Sequence, residues 1–373
     1  MRYGRCPDSI TPPPVLPFIS LIVTAKNEKN VICKSIESTV QIDYPKDRYE
    51  IVVVEDGSSD GTLEACMECA NKHPGIIRVF HKDMSSGKPS ALNYALARCR
   101  GEIVGVFDAD SMPSPDSLRA VASRFSSGAV ALQGMTKSEA NGGFLARLIS
   151  HEHDAWFNAY LMGKKRLGLF VPLSGSCQFI RRDIIDKMGG WDERSLTEDM
   201  DLSIKLVDAR VPVDYETSVR DKEGCPVSVG ALYSQRLRWF RGWIELILPS
   251  IPKTFRGRAV ADAMVTLLGP LVFAMFPVLL AVGFTLSLFS LQVPTHWLQV
   301  ALNPFMAISF LSLLTLAGAA IAFLDRGSWH RAILWILIIC LYWGLLNVVA
   351  LVALLQALVR WPKKWLRTAK VQP

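Results

Sequence analysis

EIVGVFDADSMP, residues 102–113, is a short apolar run that ends in two carboxylates. A run this short, rich in β-branched residues and without internal charge reads as a strand buried on both faces. Asp108 and Asp110 then stand at its carboxyl end, with Ala109 between them. Two carboxylates at a strand end suit a hard divalent cation, which takes oxygen ligands and shares them with substrate phosphates. The plainer alternative is a turn, because Asp and Ser ahead of Pro are common turn formers.

Working outward, the same plan recurs. ISLIVTA, ending just before Lys26, YEIVVVEDG and IIRVF are further β-branched runs closed by polar turns. Helical patterns fall between them near residues 29–40, 60–72, 89–99 and 115–126. Strands alternating with helices predict an α/β fold, a Rossmann-like and mostly parallel sheet covered on both faces. Such sheets bind ligands beyond the carboxyl ends of their strands. The polar turns KNE, DGSSDGT and DADS occupy those ends. Asp56, at the second of them, can accept hydrogen bonds from a nucleobase or close an Asx-turn. Lys88 in SSGKPSALNYAL looks like part of a phosphate loop, but Lys82 stands where that loop requires a glycine.

In SLTEDMDLSIKL, residues 195–206, Thr197 is placed to cap a helix, with Glu198 and Asp199 in its first turn. Capping accounts for Thr197 and one acid. Three acids, counting Asp201, leave room for a general base that takes the proton of an acceptor hydroxyl.

The chain has 373 residues, half of them hydrophobic, and a formal net charge of +7. The apolar residues are not evenly spread: from Ala263 to Leu358 the only acid is Asp325. Three spans are expected, about 263–291, 301–324 and 331–357, each reaching the ~20 apolar residues that cross a bilayer. Pro270 and Pro277 would kink the first. Arg326 and Arg331 put one loop in the cytoplasm, and the uncharged loop from Pro294 to Gln299 outside. The basic residues after the last span oppose that topology. Arg256, Arg258, Arg360, Lys363, Lys364, Arg367 and Lys370 flank the spans, so the positive charge is assigned to anionic lipid headgroups and not to nucleic acid. The amino-terminal stretch has no apolar core of a secretory signal, so the soluble part is expected in the compartment where it is made. The eight cysteines read as free thiols, and Cys66 with Cys69 lacks a second pair at zinc-finger spacing. HEHD at 151–154 departs from a zincin motif and is expected in a helix on the acceptor side.

Taken in order, VEDGSSDGT, GKPSALNYAL, FDADSM, GSCQFIRRDIIDKMGGWDE, LTEDMDLSIKL and QRLRWFRGW resemble the family 2 inverting glycosyltransferases of the cellulose synthase-like, processive branch. The resemblance implies a GT-A catalytic domain at 17–243 after a tail at 1–16. An interfacial linker at 244–262, a membrane region at 263–359 and a basic tail at 360–373 would follow. It implies a UDP-sugar donor and Mg2+ or Mn2+. Asp56 matches the acid at the uracil, Lys88 a lysine near the nucleotide, and Asp108 and Asp110 the metal-binding pair. Asp199 matches the catalytic base of the TED sequence, beside Glu198. Gln235 and Arg238 match residues near the donor diphosphate, and Trp239 the residue at the acceptor sugar. The rest of that stretch, Arg236, Phe240, Arg241 and Trp243, reads as an interfacial helix with snorkelling arginines.

The product implied is a β-linked polysaccharide such as a β-glucan or poly-N-acetylglucosamine, made by an integral membrane protein of the plasma or another biosynthetic membrane, with its catalytic domain cytoplasmic. A glycolipid synthase acting on ceramide or diacylglycerol carries a similar motif set. A non-catalytic membrane scaffold is the third reading; it predicts loss of a metal or base position, yet Asp108, Asp110, Asp199 and Trp239 are all in place.

Overall fold

The structure is a computed structural model that describes residues 15–138, 143–251, 257–288, 329–363 and 370. It divides into two compact units: Met1–Leu232 with Pro249–Met264 and Arg367–Pro373, and Tyr233–Leu248 with Val265–Leu366.

The first unit is built on one eight-stranded sheet in the order β3-β2-β1-β4-β7-β6-β8-β5. Its first four strands are the apolar runs of the sequence: β1 Ile19–Ala25, β2 Tyr49–Asp56, β3 Ile77–Lys82 and β4 Ile103–Asp108. All four pair in parallel, with helices Lys29–Val40 (α1), Thr62–Lys72 (α2) and Lys88–Leu96 (α3) between them. Because side chains alternate across a strand, Leu21 and Val23 fall in a core shared with Ile32 and Ile36 of α1. Ile22 points the other way and packs with Val52, Val104, Ala91 and Leu92. Each fully buried Leu, Ile or Val among them contributes about 1.5–3 kcal/mol. Both faces are therefore covered, as continuous apolar strands require.

Beyond β4 the sheet changes character. β7 (Gln178–Arg181) pairs antiparallel with both β4 and β6 (Ala131–Ser138). β6 runs parallel to β8 (Asp214–Glu223), and the two-residue β5 (Met112–Pro113) closes the edge antiparallel to β8. Four of the seven pairings are parallel, so the sheet is mixed. The sequence hid the second half because β6 and β8 carry polar residues at many positions, unlike the apolar runs of β1 to β4. The seam is tight: a Cβ on Gly105 would lie 2.6 Å from the Phe179 ring and 2.8 Å from Leu21.

The second unit contains most of helix Val229–Ser250, most of Arg258–Leu288 and all of Trp329–Leu358. Among the described residues, two stretches, Arg258–Leu279 and Leu341–Leu358, are long and apolar enough to cross a membrane. Pro270 and Pro277 both lie inside the first of these helices. The expected span at 301–324 and the loop at 294–299 lie outside the described residues. Within this unit Phe273 stacks on Phe240 at 6.1 Å and meets Trp343 edge-on at 5.8 Å.

Candidate active site

The carboxyl ends of the parallel strands carry the site. Asp56 ends β2, is 3% exposed, and accepts a hydrogen bond of 2.6 Å from Ser85. Lys82, ending β3, pairs with its other oxygen at 3.1 Å. The adjoining turn is held by neighbours: Asp60 accepts from the Thr62 and Lys29 backbone amides, and the Glu55 carboxylate from that of Ser58. Asp56 is thus held by Ser85 and Lys82 instead of closing the turn.

Asp108 is the last residue of β4, while Asp110 lies in the turn after it. The turn forms because the Ser111 amide bonds back to the Asp108 carbonyl at 3.0 Å. The pair therefore straddles the strand end, one residue on the strand and one in the turn. Asp110 accepts from the Gly224 amide at 3.0 Å. Glu223, at the end of β8, brings a third carboxylate, and ligand oxygens of the three lie within 4.8 Å of one another. An all-oxygen, carboxylate-only donor set of this size fits a hard divalent cation. Behind it lies Asp221, 1% exposed and bonded to the Ser176 hydroxyl at 3.0 Å. Burial raises the Asp221 carboxyl to about 6, with help from the charge of Asp108 and against the hydroxyls of Thr136, Ser111 and Ser176. Burial likewise raises Glu223 to about 7, opposed by Lys370 and reinforced by Asp110 and Asp108. Neither Asp221 nor Glu223 was picked from the sequence. The available signal was their spacing, since RDKEG sets two acids two residues apart as FDAD does.

Lys88, first residue of α3, bridges this group to the TED helix. Its ammonium lies 2.7 Å from Asp108, 3.4 Å from Glu198 and 3.0 Å from the Gly175 carbonyl. Burial disfavours the charge, but Asp108 and Glu198 outweigh it and hold the pKa above the usual lysine value. Asp199 comes to the same place. A Cβ on Gly175, which has φ +78°, would lie 3.2 Å from Asp199 Oδ2 and 3.5 Å from Lys88 Nζ. The left-handed backbone and the nearness of both groups favour a residue without a side chain here. Glu198 and Asp199 start the helix Glu198–Asp208, with Thr197 at its N-cap position. Thr197 makes no side-chain capping bond, and its buried hydroxyl has no hydrogen-bond partner. The capping account of this stretch therefore fails for Thr197.

Gln235, Arg238 and Trp239 lie on one face of helix Val229–Ser250, in the second unit. Arg236, expected to snorkel to lipid, is 5% exposed and sits over the Trp239 ring at 4.3 Å. Arg241 is also 5% exposed, bonded to Glu245 at 3.0 Å and to the Trp361 carbonyl. Partners within their own unit hold both arginines, which corrects the snorkelling expected of them. Lys370, assigned to headgroups, instead reaches Asp110 at 3.0 Å. Cys66 and Cys69 are fully buried, and burial pushes both thiols up to about 12, which suits packing and not redox chemistry. His153 of HEHD bonds to the Ser138 hydroxyl at 3.0 Å from helix Phe144–Asp154.

Comparison with known proteins bears on the family and the fold. Residues 13–242 match the family described as "Glycosyltransferase like family 2". A beta-monoglucosyldiacylglycerol synthase of Trichormus variabilis is 33% identical over 244 residues, which are 62% of this chain and 50% of that protein. A poly-beta-1,6-N-acetyl-D-glucosamine synthase of Staphylococcus epidermidis is 24% identical over 249 residues, 65% of this chain and 58% of that one. The chain thus spans about half the length of the curated relatives it matches. Among solved structures, a mannosyltransferase of Pyrobaculum calidifontis, in complex with GDP-Man and Mn2+, superposes with a TM-score of 0.66. That likeness covers 96% of this chain and 92% of the other at 20% identity, and it speaks to the fold alone. The sheet, the acid-lined strand ends and the family match lead to one conclusion: the chain belongs to the family 2 glycosyltransferases and has their GT-A fold.

Proposed function

We propose that the chain is an inverting, membrane-associated hexosyltransferase that passes a sugar from a UDP-sugar to the hydroxyl of a diacylglycerol-type lipid. The observation that carries the chemistry is the meeting of Asp199 Oδ2 and Lys88 Nζ across the bare α-carbon of Gly175, with Asp108 2.7 Å from the same ammonium. A base and a charge-neutralising group then flank one opening, which displacement at an anomeric carbon requires. Asp199 takes the proton of the attacking hydroxyl. Glu198 and Asp108 hold Lys88 charged and in position near the donor. Asp56 and Lys82 offer an acceptor and a donor side by side, the complement of the N3–H and carbonyl of uracil. Asp108, Asp110 and Glu223 would hold Mg2+ or Mn2+, and such an ion supplies positive charge against the departing diphosphate. From the Q-x-x-R-W motif alone, Gln235 and Arg238 are assigned to the donor diphosphate and Trp239 to the acceptor. Attack opposite the leaving group converts an α-linked donor into a β-linked product.

A lipid acceptor is supported by the 33% identity to the glucosyldiacylglycerol synthase, against 24% to the polysaccharide synthase. The two apolar helices suit an enzyme whose acceptor lies in a bilayer. The second reading, a β-linked polysaccharide as product, is favoured by the TED and QRLRW sequences. Incubating the purified protein in diacylglycerol-containing vesicles with radiolabelled UDP-Glc, UDP-GlcNAc and UDP-Gal separates the two. Label in an organic-extractable mono- or diglycosyl lipid is the expected outcome. A high-mass product that resists extraction would replace the lipid reading with the polymer one.

A further inference from the structure

The Lys370 side chain lies among the three carboxylates assigned above to a divalent ion. Its ammonium is 3.0 Å from Asp110 Oδ1, 3.2 Å from Glu223 Oε2 and 3.9 Å from Asp108 Oδ2. The residue's backbone is anchored as well, in an antiparallel bridge to Pro226, three residues past Glu223. The lysine side chain is only 18% exposed, so it is inserted into the cluster and not laid over it.

We propose that Asp108, Asp110 and Glu223 form one cation site with two mutually exclusive occupants, a divalent metal ion and the Lys370 ammonium. This deepens the metal assignment of the proposed function and rests on it. Three carboxylate groups with oxygens within 4.8 Å of one another repel strongly unless a cation lies between them. Lys370 supplies one such charge from within the chain. A divalent ion bound to the same oxygens at the ~2.0–2.6 Å of Mg2+ or Ca2+ coordination would fill the space that the ammonium occupies. The two charges also repel, so the metal enters only as Lys370 leaves. The lysine keeps the acidic cluster compensated between metal-bound states and sets a threshold that the ion, with its donor diphosphate, has to exceed. Glu223 is thereby a ligand beyond the two of the DAD sequence, and one of the basic residues near the apolar helices has its place in the catalytic unit.

The test is Mn2+ binding to the full chain in detergent, measured by electron paramagnetic resonance of the free ion, with no sugar donor present. A site open in about one molecule in ten weakens the apparent affinity about tenfold. Lys370→Met is therefore expected to bind Mn2+ about tenfold tighter than the wild type. Lys370→Arg, which keeps the charge, should stay near the wild type, and Glu223→Gln should weaken binding in either background. A second measurement needs no variant: acylation of Lys370 by acetic anhydride, read by mass spectrometry, should rise as Mn2+ saturates the site. Equal Mn2+ affinity in the wild type and Lys370→Met overturns this proposal while leaving the metal reading intact. No Mn2+ binding by any form overturns both.

Discussion

The two stretches of the catalytic unit, residues 19–108 and 110–223, are built in opposite ways. The first repeats one local unit, strand, polar turn and helix, so β1 to β4 lie parallel and their carboxyl ends gather on one side. Asp56, Lys82, Lys88 and Asp108 arrive there as a consequence of that repeat. The second stretch threads β7 backwards between β4 and β6 and returns along β8. Its acids reach the site through long-range contacts: the Gly224 amide bonds Asp110, and the Ser176 hydroxyl bonds Asp221. The first stretch makes the strand-end edge by repetition. The second places Asp199 and the deeper carboxylates against that edge.

This division predicts that substitutions in the two stretches fail differently. The largest effect is expected for Asp199→Asn, which should lower transfer by at least about 100-fold, the scale of a lost general base. UDP affinity, measured by calorimetry, should hardly change, and an equal loss of UDP binding would assign Asp199 to the donor instead. Asp56→Ala should do the reverse. Loss of a hydrogen bond to a charged group costs ~1.5–3 kcal/mol, so UDP binding should weaken by about tenfold or more. Turnover at saturating donor should be largely kept; a collapse there with unchanged UDP affinity would break the division. The smallest effect probes the join. Gly105→Ala puts a methyl group against Phe179 and Leu21, and overpacking of this kind costs about 1–3 kcal/mol. Thermal unfolding should begin at a lower temperature, with UDP affinity intact at 25 °C. An unchanged midpoint would mean that β7 yields easily and that the seam is softer than its packing implies.

Strand and helix positions through Asp108 were legible in the sequence because their signal is local. Val52 and Val54 face one core and Ile51 and Val53 the other, so each strand is apolar throughout and stands out from its polar turns. The acids Asp56, Asp108 and Asp110 stand out for the same reason, as charges placed where an apolar run stops, and Asp199 as one of three acids at a helix start. β6 and β8 were not, since their many polar positions break up the apolar pattern. The partners of the basic residues are not local either. Composition groups Arg236, Arg241 and Lys370 with lipid-facing charge, yet Glu245, the Trp361 carbonyl and the Asp110 carboxylate engage Arg241 and Lys370, and the Trp239 ring engages Arg236.

By itself, then, the sequence determined the α/β repeat, the acid-tipped strand ends and the family motifs, because each is set by residues adjacent along the chain. Only the tertiary structure decided that Glu223 joins Asp108 and Asp110, that Gly175 lies beside both Lys88 and Asp199, and that Lys370 lies among the carboxylates. Those are Coulombic and steric relations between residues as far apart as Asp110 and Lys370, and no local period encodes them.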